Sequence, residues 1–233
     1  MSTVHLELAD GIAVVTLDAP PLNIFDLAMR DGLIEALTAV RDLDDLGAMI
    51  LAAAGEHFSA GADLSEFGSA ASIHEARRIR WDRDPWGVLW DLPIPTIAAI
   101  HGVAVGSGME MAMLCDLRIG GPTTKLGLPE TKLGMLPAAG GTQSLTKAVG
   151  TRRSVPIIAL ADTMGPDEAV ANRVLTMVAD DPDETARDLA TRFAGYDRSA
   201  LRALKRALRA AVDQPLAEGL ETERRLGRSL TDR

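Results

Sequence analysis

A chain of 233 residues, 47% hydrophobic and 24% charged, is long enough to bury one substantial core and has the balance of an ordinary globular protein. Its net charge of −9 argues against nucleic acid as the main partner. Cys115 is the only cysteine, which rules out an intrachain disulfide; with no signal-peptide core and no long uncharged apolar run, a cytoplasmic protein with no membrane partner is expected.

Val4, Leu6 and Leu8 alternate with polar residues, Asp10-Gly11 turns the chain, and Ile12 to Leu17 returns, which predicts a β-hairpin. After the Ala19-Pro20-Pro21 break, Asp26 is a candidate N-cap for a helix whose buried stripe is Leu33, Leu37 and Val40, ending near Asp44. Ala48 to Ala53 is a short apolar strand, and the small residues of His57 to Leu64 form a loop around Gly61. Residues 72–91 predict a helical segment holding Trp81, Trp86 and Trp90. Thr96 to Ile100 is a buried strand, Val103 to Val105 a second short one, and Met109 to Cys115 a helix too apolar for a surface. Leu126 to Glu130 has the look of a short strand closed by Pro129, and residues 136–142 of a loop before a helix at 143–149. Further helices are expected near 151–160, 166–173, 183–194 and 199–213, with Pro182 and Pro215 as breaks. Strand–helix alternation followed by helices indicates an α/β core (1–195) with a helical C-terminal region (196–233) for subunit association.

One residue stands out against this pattern. Glu110 lies in an apolar helix among Met109, Met111, Met113 and Leu114, where an unpaired charge is costly. The strand and Gly106-Ser107-Gly108 turn before it place backbone N–H groups at a positive helix end, which suits an anion. Three familiar motifs with that geometry fail here. A dinucleotide fingerprint needs glycine where Met111 stands, a phosphate loop needs Gly-Lys-Ser/Thr, and a nucleophile elbow needs glycine at Val105 and Met109. An oxyanion site beside a buried acid remains.

Three segments read together carry a family resemblance: Phe58-Ser-Ala-Gly-Ala-Asp-Leu64, His101-Gly-Val-Ala-Val-Gly-Ser-Gly-Met-Glu-Met-Ala-Met-Leu-Cys-Asp116, and Gly127-Leu-Pro-Glu-Thr-Lys-Leu-Gly-Met-Leu-Pro-Ala-Ala-Gly-Gly-Thr-Gln143. In order and spacing they resemble the crotonase superfamily, and within it the enoyl-CoA hydratases, over nearly the whole chain but less closely after about residue 160. The resemblance implies a spiral of ββα units, a homotrimer or hexamer, and an acyl-CoA substrate with no separate cofactor or metal. It also implies that the thioester oxygen is held by the backbone N–H groups of Ala62 and Ser107, with Glu110 and Glu130 as the catalytic pair. Ala60, Gly61, Asp63, Leu64, Gly106 and Pro129 would then shape the substrate site.

The chemistry fits these residue types. Adding water to a 2-enoyl thioester needs an oriented water, a proton for C2 and stabilisation of enolate charge on oxygen. Two close carboxyls do not both ionise readily, so one serves as acid and the other as base. The chain departs from the hydratase pattern in two places. Ser107 replaces the middle glycine of the usual Gly-Gly-Gly, and the sequence stops at Arg233, where family members commonly continue into a further helical stretch.

Plainer roles stand beside the functional ones. Glu110 could pair with Arg118 or Lys132, Asp63 caps a helix and shapes the loop, Asp116 ends a helix, His101 is structural and Cys115 fills the core. The tryptophans suit an acyl pocket or the core and subunit interface equally. The cluster Arg77, Arg78, Arg80 and Arg83 reads as a solvated face, with coenzyme A phosphates as the alternative. Rival functions are an enoyl-CoA isomerase using one glutamate, a catalytically weak binding homologue, and a serine hydrolase through Ser107. The last lacks any histidine after His101 to act as base.

Overall fold

The computed structural model describes residues 3–66, 71–72, 74 and 84–231. The expected hairpin is β1 (Val4–Ala9) and β2 (Ile12–Leu17), antiparallel, with Asp10 and Gly11 at positive φ in the turn. Helix α1 (Leu27–Asp42) starts where Asp26 Oδ1 accepts the Met29 N–H at 2.8 Å, and it buries Met29, Leu33, Leu37 and Val40 on one stripe. Then come β3 (Ala48–Ala53), α2 (Pro85–Asp91), β4 (Thr96–Ile100), β5 (Val103–Val105), α3 (Ser107–Leu114), β6 (Leu117–Gly120) and β7 (Lys125–Gly127). A 3-10 turn at Pro129–Leu133 leads to α4 (Gly141–Val149), α5 (Thr151–Leu160), α6 (Pro166–Ala171), β8 (Met177–Val178), α7 (Pro182–Ala194), α8 (Arg198–Asp213) and α9 (Leu216–Thr231).

Two strand ladders organise these elements. The broad sheet has the order β1-β2-β3-β4-β6-β8 and is parallel from β2 onward. The narrow ladder pairs β5 with β7 in parallel and is extended by single bridges from Phe25 to Ala62, Ser59 to Ala104 and Leu126 to Met164. Passes through β3, β4 and β6 each add one strand to the broad sheet and one short piece to the narrow ladder. These are the stacked turns of the expected spiral. Both faces of the broad sheet are covered, which explains the unbroken apolar run of β3: Met49 and Leu51 enter the main core, while Ala48, Ile50 and Ala52 pack toward Ala186 and Ala190 of α7.

Several element boundaries differ from expectation. The strand expected through Glu130 ends at Gly127, because Pro129 has no N–H for a ladder and starts a 3-10 turn instead. The helix expected from Met109 begins at Ser107, and Pro182 opens α7 rather than breaking the chain. β6 and β8 escape pattern reading because one carries Arg118 at its second position and the other is two exposed residues long. Trp81 and the cluster Arg77, Arg78, Arg80 and Arg83 lie outside the described residues. Trp86 is buried against Phe25 at 5.4 Å between ring centroids, which favours its core role, and Trp90 carries the Arg209 guanidinium at 4.6 Å.

Candidate active site

The site is built on two loops and a helix start. In the first loop, fully buried Asn23 accepts the Ala19 N–H and donates to the Ala54 and His57 carbonyls at 2.9 and 2.7 Å. Its own carbonyl accepts the Ser59 hydroxyl at 2.7 Å, and Ser59 Oγ in turn accepts the Gly61 N–H at 3.1 Å. The Ala60 N–H is taken by the Leu22 carbonyl and that of Asp63 by Phe25. Among the described residues, the Ala62 N–H alone of this run has no protein acceptor. A backbone donor left over after so complete an accounting is open to a ligand.

The second donor comes from the start of α3. Ser107 is its first residue, so its N–H has no intrahelical acceptor, and none is found elsewhere among the described residues. Close packing sets the two loops side by side. A Cβ on Gly108 would stand 2.7 Å from the Ser59 carbonyl oxygen, and one on Gly61 would stand 3.0 Å from that of Val105 and 3.6 Å from the Ser107 nitrogen. Gly61 also holds φ +99°, a backbone region that side-chain-bearing residues rarely enter.

Glu110, 2% exposed, sits in the same first turn of α3, its own N–H bonded to the Gly106 carbonyl. Its Oε1 accepts the N–H groups of Ala139 and Gly141, both at 2.9 Å, from the loop entering α4. The pairings with Arg118 and Lys132 do not form. Arg118 donates to the Val174 and Cys115 carbonyls, and Lys132 pairs with Asp162. Burial pushes the Glu110 carboxyl up to about 7, against the pull of the Gly141 and Ala139 bonds and the Ser107 side chain, and the nearby Glu130 charge adds to the rise.

Glu130 lies half-buried in the 3-10 turn that Pro129 opens. Its Oε1 is 2.9 Å from where a Cβ on Gly106 would stand, so the carboxyl rests on the glycine that caps α3. Its Oε2 is buried and has no partner among the described residues, and burial raises its pKa. Thus Glu110 and Glu130, twenty residues apart in the chain, come near enough for one charge to act on the other at the first turn of one helix, beside two N–H groups that have no acceptor among the described residues.

Other residues take plainer positions. Asp63 Oδ1 accepts the Ser65 N–H at 2.8 Å and shapes the 3-10 turn at Leu64–Glu66, and hydrogen bonding from the Ser65 side chain, then from its N–H, lowers the Asp63 pKa. Leu64 is exposed just beyond it. His101 Nε2 hydrogen-bonds with the Gly55 carbonyl oxygen, and Cys115 is buried, its thiol pushed up to about 12 by desolvation. No group of His, Cys, Asp and Glu side chains among the described residues could hold a metal ion, and no described helix is long and apolar enough to cross a membrane. Sequence reasoning gave no role to Asn23, Ser59, Ala139 or Gly141. The signals were present, as an asparagine just after a Pro-Pro break and a Gly-Gly pair at a helix start.

Comparison with known proteins bears on the family and the fold. Residues 7–233 match the enoyl-CoA hydratase/isomerase family. A probable enoyl-CoA hydratase of Mycobacterium bovis is 37% identical over 228 residues, covering 96% of this chain and 88% of the relative. Its counterpart from Mycobacterium leprae is 37% identical over 231 residues, 94% of this chain and 87% of the relative. The crystal structure of an enoyl-CoA hydratase from Bacillus anthracis superposes with a TM-score of 0.93 at 28% identity, covering 99% of this chain and 92% of that one. With its mixed sheet, stacked ββα turns and paired loops, the chain belongs to the enoyl-CoA hydratase/isomerase family of the crotonase superfamily.

Proposed function

We propose that the protein is an enoyl-CoA hydratase, adding water across the 2,3 double bond of a 2-enoyl-CoA thioester to give 3-hydroxyacyl-CoA. The observation that carries this reading is the approach of Glu130 to Glu110 at the first turn of α3, next to the N–H groups of Ala62 and Ser107, which have no acceptor among the described residues. In this reading a water lies between the two carboxyls. The ionised one takes a proton from that water as its oxygen bonds to C3. The electrons of the double bond move toward the thioester oxygen, where the two N–H groups stabilise the enolate charge. The protonated carboxyl then gives its proton to C2, so the pair ends with the same number of protons and exchanged roles. A carboxyl pushed up to about 7 suits such exchange near neutral pH.

Support for the oxyanion role is the hydrogen-bond accounting. Donors fixed in place before the substrate arrives need no reorganisation during reaction, and each is worth about 3 kcal/mol in comparable sites. Ala60, Gly61, Asp63, Leu64, Gly106 and Pro129 shape the walls around that oxygen in this reading. Exposed Leu204, Leu208, Val212, Leu216 and Leu220 on α8 and α9 favour association into a homotrimer or hexamer.

The deciding experiment follows crotonyl-, longer and branched enoyl-CoA thioesters by loss of enoyl absorbance and identifies the product. A 3-hydroxyacyl thioester is expected. A shifted double bond would assign the isomerase reaction instead, and acyl-CoA binding with no turnover would assign a binding homologue.

A further inference from the structure

Away from the glutamate pair, an open pocket of about 300 Å³ lies in the elbow between α8 and α9. Its charged and polar lining is Arg206, Arg209 and Arg225 with Asp213, Gln214 and Thr222. Three arginines line it in a chain whose 33 acidic residues outnumber its 24 basic ones. The one carboxylate is already engaged, because Asp213 pairs with Lys147. Gln214 accepts the Thr222 hydroxyl on its carbonyl oxygen, which leaves its amide NH₂ as a donor. Arg206 and Arg225 make no ion pair among the described residues.

Arg209 distinguishes this pocket from a solvated basic face. It is stacked over the Trp90 ring, and its Nε and Nη2 are shut off from water with no hydrogen-bond partner among the described residues. Desolvation weakens its hold on the proton despite the charges of Asp116, Asp91 and Asp213. An exposed arginine keeps its nitrogens hydrated, whereas this one is partly withdrawn and under-compensated, an arrangement that an anion beside it relieves through its field. Planar guanidinium forks at several angles match a tetrahedral oxyanion better than a single carboxylate.

We propose that the elbow between α8 and α9 is a binding site for a phosphate group, held by Arg206, Arg209 and Arg225. The phosphate is either free or carried on a larger ligand such as a coenzyme A thioester, and the recognition chemistry is the same for both.

The test titrates inorganic phosphate into the purified protein at low ionic strength and follows binding by ³¹P NMR, a readout independent of any turnover. Saturable binding is expected. Arg206→Gln and Arg225→Gln, both at exposed positions, should each weaken it roughly tenfold or more while leaving the circular dichroism spectrum unchanged. Arg152→Gln, in a separate surface groove, should leave it unchanged. Displacement of bound phosphate by coenzyme A would mark a carried phosphate as the ligand, and lack of displacement a free one. Linear, unsaturable broadening, or equal affinity in both elbow variants and the native protein, would overturn the proposal.

Discussion

Two buried charges in this molecule have opposite surroundings. Glu110, at the site, is 2% exposed and meets backbone N–H groups and a second carboxyl, with no cation close by among the described residues. Lys205, midway along α8, is 6% exposed and meets Asp116 Oδ2 at 2.7 Å and the Ile94 carbonyl at 2.7 Å. Asp116 in turn accepts the Thr96 N–H and hydroxyl, so the lysine fastens the C-terminal helices to the end of the helix that carries Glu110. Both charges pay for burial, and only Lys205 recovers it from an opposite partner. A buried charge balanced by its opposite is a structural tie. One placed beside its own kind has its protonation shifted, which marks a candidate site.

That contrast can be broken most sharply at the glutamates. Glu110→Gln and Glu130→Gln should each lower kcat by roughly 10²–10⁴ while acyl-CoA binding persists. The double variant should be little worse than the poorer single one, because groups acting as a unit are not additive. Turnover assays on all three, with binding measured by calorimetry, check this. One crippled and one nearly intact variant would point to a single-glutamate, isomerase-type site.

Ala62→Pro deletes a free backbone donor and should lower kcat by about a hundredfold or more. No hydrogen bond of the fold is lost, since that N–H has no protein acceptor among the described residues. A thermal melt close to that of the native protein would separate this effect from misfolding.

At Lys205 the expected cost is in stability. Lys205→Met should destabilise the fold by about 1–3 kcal/mol, less than a fully buried pair would lose because the Asp116 side chain is 38% exposed. Denaturant unfolding measures it, and kcat of the folded variant should stay near the native value. A large loss of kcat with unchanged stability would erase the division between tie and working site.

Glu110 should also be visible in the pH dependence of stability. Its folded pKa is raised from 4.5 to about 7, so the native state binds more protons than the unfolded chain between those values. Its contribution is therefore fully present below about pH 4.5 and lost as pH rises through about 7. Glu110→Gln removes this dependence, and relative to the native protein it should gain stability at pH 8 compared with pH 4. Paired urea titrations at the two pH values test the sign.

The smallest effect is expected at Ser107→Gly, which keeps the N–H at the start of α3. Only a modest change in kcat should follow, with a slight upward shift in the Glu110 pKa as the serine side chain's lowering influence is lost. A pH–rate profile reads both. A loss as large as that of Ala62→Pro would give the hydroxyl a chemical role.

Much of this protein was legible in its residues because the signals are local or tied to short motifs. The Asp10-Gly11 hairpin, the Asp26 cap and the apolar runs of β3 and β4 each follow from neighbours a few positions apart. The suspicion attached to Glu110 likewise needed only the methionines around it. The three motifs in their order carried the family, and with it the expectation that Glu110 and Glu130 act as a pair. Other features depend on accounting across the whole fold. Which N–H groups remain free is known only after Asn23, Ser59, Leu22 and Phe25 have taken their shares. That Ala139 and Gly141 hold Glu110, and that Lys205 reaches Asp116 from 89 residues away, are outcomes of packing between distant segments. Propensity and periodicity act within a turn or two of chain. Hydrogen-bond satisfaction and the balance of buried charge are settled wherever folding happens to bring partners together.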